Sequence, residues 1–270
     1  MQDFIETNRK HWDEVVPIHE NSAFYRVDDF RRGEILLDPL ERGEVGDVTG
    51  KSLLHLQCHF GLDTLSWARL GADATGVDFA PAAIETARRI SAETGVPGRF
   101  IQSDLYSLPE VLNEQFDIVF TSYGVLIWLP DIVRWAQVAA SFVNPGGSFY
   151  IAEFHPFAHA FDTDPRVTKL KFRHSYFEHA EPDTFDDAGT YADLTARIVN
   201  TRSHEWAHPL GSIVTALAAE GLRIDFLHEF DYSIYQMFPF MTQGQDGYWR
   251  LPEHSSSLPL MFSLKASRPA

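Results

Sequence analysis

From residue 51 to about 155, short apolar runs alternate with stretches whose apolar residues recur at helical spacing. The runs at 52–57, 74–79, 99–103, 116–122 and 148–154 have the length and bounding residues of strands. Between the first two, 62–70 runs directly from Gly61 to Gly71. In 81–94, Ala83, Ala87 and Ile90 share one face behind Pro81, a residue suited to a first helical turn. In 131–143, Ile132, Trp135, Ala136, Ala139 and Val143 share a face, and Asn144-Pro145-Gly146-Gly147 stops the helix. Strands alternating with helices across short turns predict a parallel sheet covered on both faces.

After Phe154 the rhythm breaks. Two alternating stretches, 171–177 and 196–206, flank the acidic segment 181–187, and they predict an inserted β-hairpin. The α/β rhythm then returns. A helix is expected at 209–220, with Leu210, Ile213, Val214 and Leu217 on one face and Gly221 at its end. Strands are expected at 223–230 and 258–266, which brings the core sheet to seven. The link 231–257 is long and aromatic, so it is expected to fold over part of the molecule. The first fifty residues read as helical and carry Phe4, Trp12, Phe24, Tyr25 and Phe30. The expected organisation is a helical lid at 1–50, a main domain at 51–155 with 207–270, and a cap at 156–206.

Composition narrows the functions this frame can serve. The net charge is −16, from 38 acidic and 22 basic residues, a surface that repels phosphate backbones and anionic lipid. Neither nucleic acid nor membrane is an expected partner, and the oligomeric state stays open. A single cysteine, Cys58, excludes an intramolecular disulfide. With no basic leader and no long apolar run, the expected location is cytoplasmic. The aromatic content of 13% suits either a Phe-rich core or an aromatic-lined pocket.

Ligands of a doubly wound sheet bind beyond the carboxyl ends of its strands. The first such place is the turn Gln57-Cys58-His59-Phe60-Gly61, followed at once by a helix whose free N–H groups can meet an anion. Asp63, in the first turn of that helix, can reach a ligand ammonium or simply favour the helix dipole. Asp78 ends the second strand, where it can accept both hydroxyls of a ribose or cap the following helix. Phe79 beside it can lie against a purine. Ser103, Asp104 and Leu105 end the third strand, where the acid can accept an exocyclic amino group. Thr121 opens the loop after the fourth, whose carbonyls can receive an ammonium. His155, after the fifth strand, is the candidate general base, against the alternative that it shapes the pocket. Tyr123, Trp128 and Tyr150 can line a pocket or pack the core. His208 can cap the late helix, and 238–241 with Tyr248 and Trp249 can cover the site. His55, Cys58 and His59 are metal-ligand types, but no second cysteine exists, so no metal is expected.

The stretches "SLLHLQCHFGLDTLSWARLGA", "ATGVDFAPAAIETAR", "QSDLYSLP", "FDIVFTSYGVLIWLPDI" and "NPGGSFYIAEFHP", in that order, resemble the class I S-adenosylmethionine-dependent methyltransferases. The resemblance covers about 50–156 and resumes at 209–266. It implies a Rossmann-like α/β fold with a doubly wound, seven-stranded, mostly parallel sheet whose last strand is antiparallel. It implies S-adenosylmethionine as cofactor, with 57–61 at the methionine part, Asp78 at the ribose, Asp104 and Leu105 at the adenine and Thr121 near the amino end. It departs from the family in the turn, where His55 stands at the usual acid and Gln57 and His59 at two glycine places. A small-molecule methyltransferase with an enclosed aromatic pocket is the expected function. A non-catalytic cofactor sensor and a nicotinamide-dependent oxidoreductase are the alternatives, and the absence of G-x-G-x-x-G counts against the latter.

Overall fold

A computed structural model describes residues 2–252 and 258–270. Three helices open the chain: α1 (Gln2–Glu20), α2 (Val27–Arg31) and α3 (Pro39–Val45). The alternating core follows with β1 (Ser52–Leu56), α4 (Leu62–Arg69), β2 (Asp73–Asp78), α5 (Pro81–Thr94) and β3 (Arg99–Gln102). It continues through α6 (Leu108–Val111), β4 (Phe116–Thr121), α7 (Ile132–Ser141) and β5 (Val143–Phe154). The strands β6 (Asp183–Asp186) and β7 (Arg202–Glu205) precede α8 (Leu210–Ala219) and β8 (Arg223–Phe230). Three short strands, β9 (Tyr232–Ser233), β10 (Thr242–Gln243) and β11 (Trp249–Arg250), lead to β12 (Met261–Ser267).

The main sheet has seven strands in the order β3-β2-β1-β4-β5-β12-β8. β1, β2, β3, β4 and β5 run parallel, while β12 inserts antiparallel between β5 and β8. This is the doubly wound sheet expected, reversed at its last strand. Its central strands are buried along most of their length because helices cover both faces. One face packs Leu54, Leu56, Val119, Phe149 and Phe262 under Trp135, Ala136 and Leu217 of α7 and α8. The other packs Leu53, Ala74, Ile118 and Phe120 under Trp67 of α4 and Val45 of α3. Among the described residues, no helix is long and apolar enough to cross a membrane.

β5 starts earlier than the sequence predicts. The Asn144-Pro145-Gly146-Gly147 stop belongs to the strand, because Val143 pairs with Phe116 ahead of a register shift. Gly147 lies so close to the Asp117 carbonyl that a Cβ there would stand 2.9 Å from it.

The insert differs more. Its two-stranded sheet pairs β6 with β7, so the acidic stretch expected to separate two strands is itself one of them. Residues 171–177 contribute an isolated bridge, Phe161 to Phe172, and both Phe172 and Phe177 face solvent. With nothing to cover their apolar face, those residues gain little from extending into a sheet. The link after β8 folds into the three-stranded sheet β10-β11-β9, and Met237, Phe238 and Met241 pack beside Phe154 and Leu260. The last five residues of the expected link, 253–257, lie outside the described residues.

Candidate cofactor site

The turn after β1 answers its unusual residues with unusual backbone. Gln57 and His59 take φ of 55° and 50°, and Gly61 takes 77°. These are left-handed values that cost a non-glycine residue about 1–2 kcal/mol. The backbone that alternate glycines normally permit is thus kept with side chains in place, each held by a partner. Gln57 donates its amide to the Val125 carbonyl at 3.1 Å, tying the turn to the loop after β4. The His59 ring meets His19 of α1 at 3.1 Å and stands among Trp12, Tyr25 and Phe60. Gly61 is obligatory, because a Cβ there would lie 2.5 Å from the Phe100 ring.

Asp78 joins the turn to the next loop. Its Oδ2 accepts the His59 N–H at 2.9 Å and its Oδ1 accepts the Ala80 N–H at 2.9 Å. It therefore does brace the start of α5, as one reading of the sequence held. Each carboxylate oxygen keeps a second lone pair, so the same group can still receive ribose hydroxyls. Burial pushes its pKa up to about 6, against the pull of those N–H donors. Ser103 holds β3 to β2 through its N–H, which donates to the Asp78 carbonyl at 3.0 Å. Asp104 uses Oδ1 to cap the short helical turn Leu105–Ser107, accepting from Tyr106 and Ser107. Leu105 turns into the core, and half-buried Phe79 packs beside the α4–α5 cluster.

A polar chain runs beneath the turn. His55 reaches Thr64 Oγ1 through Nδ1 at 2.9 Å and Ser122 Oγ through Nε2 at 3.3 Å. Ser122 donates onward to Asp63 at 3.3 Å. Burial holds His55 neutral, its pKa down to about 3, and raises Asp63 to about 6. No local pattern announces Thr64 and Ser122, whose part depends on His55 standing between two hydroxyls.

Several residues sit elsewhere than expected. Cys58 points under Gly76, where its sulfur would be 2.8 Å from an added Cβ, and packs in the apolar cluster with Phe60 and Phe100. Thr121 spends its hydroxyl on the Leu56 carbonyl at 3.1 Å, so its side chain bridges β4 and β1. Tyr150 is core, stacked on Phe120 with its hydroxyl on Glu44. His155 has both ring nitrogens engaged, Nε2 with Glu229 at 3.0 Å and Nδ1 accepting the Phe157 N–H at 3.1 Å. Its backbone pairs with Leu260, so it faces the β12–β8 side of the sheet and anchors structure there. With both nitrogens occupied, the arrangement favours the alternative that His155 shapes the pocket over a general base there. His208 does not cap α8, whose N-cap is Pro209; its ring holds the Leu129 carbonyl at 2.6 Å. Among the described residues, no group of three His, Cys, Asp or Glu is placed to hold a metal.

The carboxylate that does organise this end of β5 is Glu153. It accepts backbone N–H groups from Gly124, Val125, Leu126 and Phe154, fixing the loop after β4. Burial raises it to about 7 in spite of these donors. An acid inside the apolar run Ile151-Ala152-Glu153-Phe154 was the available signal.

One observation tests the fit of S-adenosylmethionine. Gln57 Oε1 is a buried acceptor with no partner, on the strand end where the cofactor's methionine part would lie. An ammonium donor suits that orphan, as ribose hydroxyls suit Asp78. The alternation and the reversed last strand are those of a Rossmann-like methyltransferase fold.

Residues 53–147 match the family model described as a methyltransferase domain. The chain is 34% identical over 107 residues to a ubiquinone biosynthesis O-methyltransferase of Photorhabdus laumondii, across 40% of this chain and 44% of that one. The match therefore spans less than half of that relative. In shape, the chain resembles an S-adenosylmethionine-dependent methyltransferase of Mesorhizobium loti, with TM-score 0.59, 20% identity and coverage of 88% and 100%. It also resembles one of Clostridium acetobutylicum, with TM-score 0.56, 13% identity and coverage of 94% and 95%.

Proposed function

We propose that the protein transfers the methyl group of S-adenosylmethionine to a small-molecule acceptor. The observation that carries this reading is the turn at 57–61, whose left-handed backbone survives without its glycines and is pinned to Asp78. Matched methyltransferase relatives support the same activity.

When bound, the cofactor supplies a sulfonium methyl that is already electrophilic. The chain's own work is to align and to exclude water. Asp78 and Asp104 hold the nucleoside end, and Gln57 and Asp63 stand at the amino-acid end. Tyr25 of the turn between α1 and α2, hydrogen-bonded to Tyr191 of the insert, closes over His59 and Phe60.

Incubating the protein with S-adenosylmethionine and a panel of amines, phenols and thiols, and following the demethylated product by mass spectrometry, tests the proposal. Acceptor-dependent product is expected. Tight cofactor binding with no turnover across the panel would favour a sensor instead.

A further inference from the structure

Beyond the carboxyl ends of β4 and β5, the chain leaves a cleft with β6 and β7 as one wall. Leu126, Phe154, Phe185 and Trp206 give it apolar and aromatic surface, and Glu153 and Glu205 give it carboxylates. It begins one residue past Val125, whose carbonyl Gln57 holds, so the cleft and the cofactor turn share a support. The walls are fastened. The Trp206 N–H donates to the Ile127 carbonyl at 2.8 Å, and the Asn8 amide of α1 brackets the backbone of His204 from both sides.

The register of this small sheet sets Asp183 directly opposite Glu205. Like charges facing across a strand pair are destabilising. The two acids are not compensated alike. Asp183 has His174 at 3.3 Å and His179 at 3.8 Å. Burial raises the Glu205 pKa to about 8, and the charges of Asp183 and Asp187, which have its own sign, push it the same way. No Lys or Arg lines the cleft among the described residues. His159 and His208, also in the wall, are both pushed down by burial, His159 to about 4. An acid set opposite a carboxylate and given no cation keeps its proton at neutral pH, and a cation brought from outside can take that proton's place.

We propose that this cleft seats the methyl acceptor, and that Glu205 receives its cationic amine while Phe154, Phe185 and Trp206 hold an aromatic frame. The acceptor class is then an arylalkylamine or amino-heterocycle. Aromatic carboxylates and phosphates are disfavoured, since they would meet Glu205 and Glu153 with no Lys or Arg in the described lining, and the His174 ring already faces Asp183. The inference rests on the methyl-transfer reading, but its test is separable from that reading.

Calorimetric titration of the full chain, with S-adenosylhomocysteine present, compares phenethylamine and tryptamine with the matched carboxylates phenylpropionate and indolepropionate. The amines should bind, and the carboxylates should bind at least about tenfold more weakly. Glu205→Gln should weaken the amines about tenfold or more and leave an uncharged alcohol analogue unchanged, while Glu205→Asp restores most of the amine affinity. The proposal is overturned if carboxylates bind as well as amines, if no amine binds, or if Glu205→Gln leaves amine affinity within about twofold. Cofactor affinity is titrated separately in each variant. Its loss in the wild type defeats the methyl-transfer reading, whereas the amine series alone decides the role of the cleft.

Discussion

The turn after β1 and the cleft beside β7 both concentrate buried polar groups, but they treat them in opposite ways. In the turn, His55 has a hydroxyl on each ring nitrogen and both Asp78 oxygens accept an N–H. At the cleft, Glu205 faces another carboxylate and is offered no cation. Internally satisfied groups fix a backbone; a group left open marks where something else must come. The turn is a rigid cradle with one orphan acceptor, Gln57 Oε1, whereas the cleft is an unfinished charge pattern.

The largest effect should come from forcing the cradle. Gly61→Ala adds a Cβ into Phe100 at a φ of 77°, and should cost about 3 kcal/mol of stability in urea unfolding. A cost near zero would mean that the turn tolerates rearrangement and is no cradle.

Asp78→Ala comes next. It leaves the His59 and Ala80 N–H groups without their acceptor and should cost about 1–3 kcal/mol of stability. Asp78→Asn, which keeps one oxygen, should cost less by the same measurement.

Acid titration separates two kinds of buried group within the turn. The folded pKa of His55 lies at about 3, below its ordinary 6.5. The unfolded chain then binds the proton more readily between those values, so this contribution is complete above pH 6.5 and lost as pH falls toward 3. Asp63 and Asp78, raised to about 6, act with the opposite sign, favouring the folded state as pH falls below 6. His55→Gln should therefore lose less melting temperature than the wild type between pH 7 and pH 5. An equal loss would show that His55 is protonated in the folded state.

The smallest effect is expected at Gln57. Gln57→Gly relieves a left-handed residue but gives up the bond to Val125, so stability should change by less than about 1 kcal/mol. A large loss would assign the Val125 tether more weight than the backbone strain.

The sheet was readable in the chain because buried parallel strands are continuous apolar runs, and Gly61, Pro81 and Gly221 punctuate the helices between them. Asp78 and Asp104 were readable as strand-end acids for the same reason. The insert was readable in part: β7 falls within the expected stretch 196–206, but its partner was not, because four-residue strands carry little pattern and β6 contains two aspartates, while the alternation at 171–177 stays exposed. His155 misled because position along β5 does not reveal lateral direction. Its pairing with Leu260 and Glu229 turns it toward the far edge of the sheet. The left-handed backbone at Gln57 and His59 depends on partners at Val125, Asp78 and His19, all distant in sequence, so no local pattern announces it.

Calorimetric titration of S-adenosylmethionine into the wild type, Asp78→Ala and Glu205→Gln tests the central claim most directly. Binding to the wild type, weakened about tenfold or more by Asp78→Ala and unchanged by Glu205→Gln, is the result expected. No binding to the wild type, or equal affinity in Asp78→Ala, would contradict the assignment of the turn and Asp78 as the cofactor site.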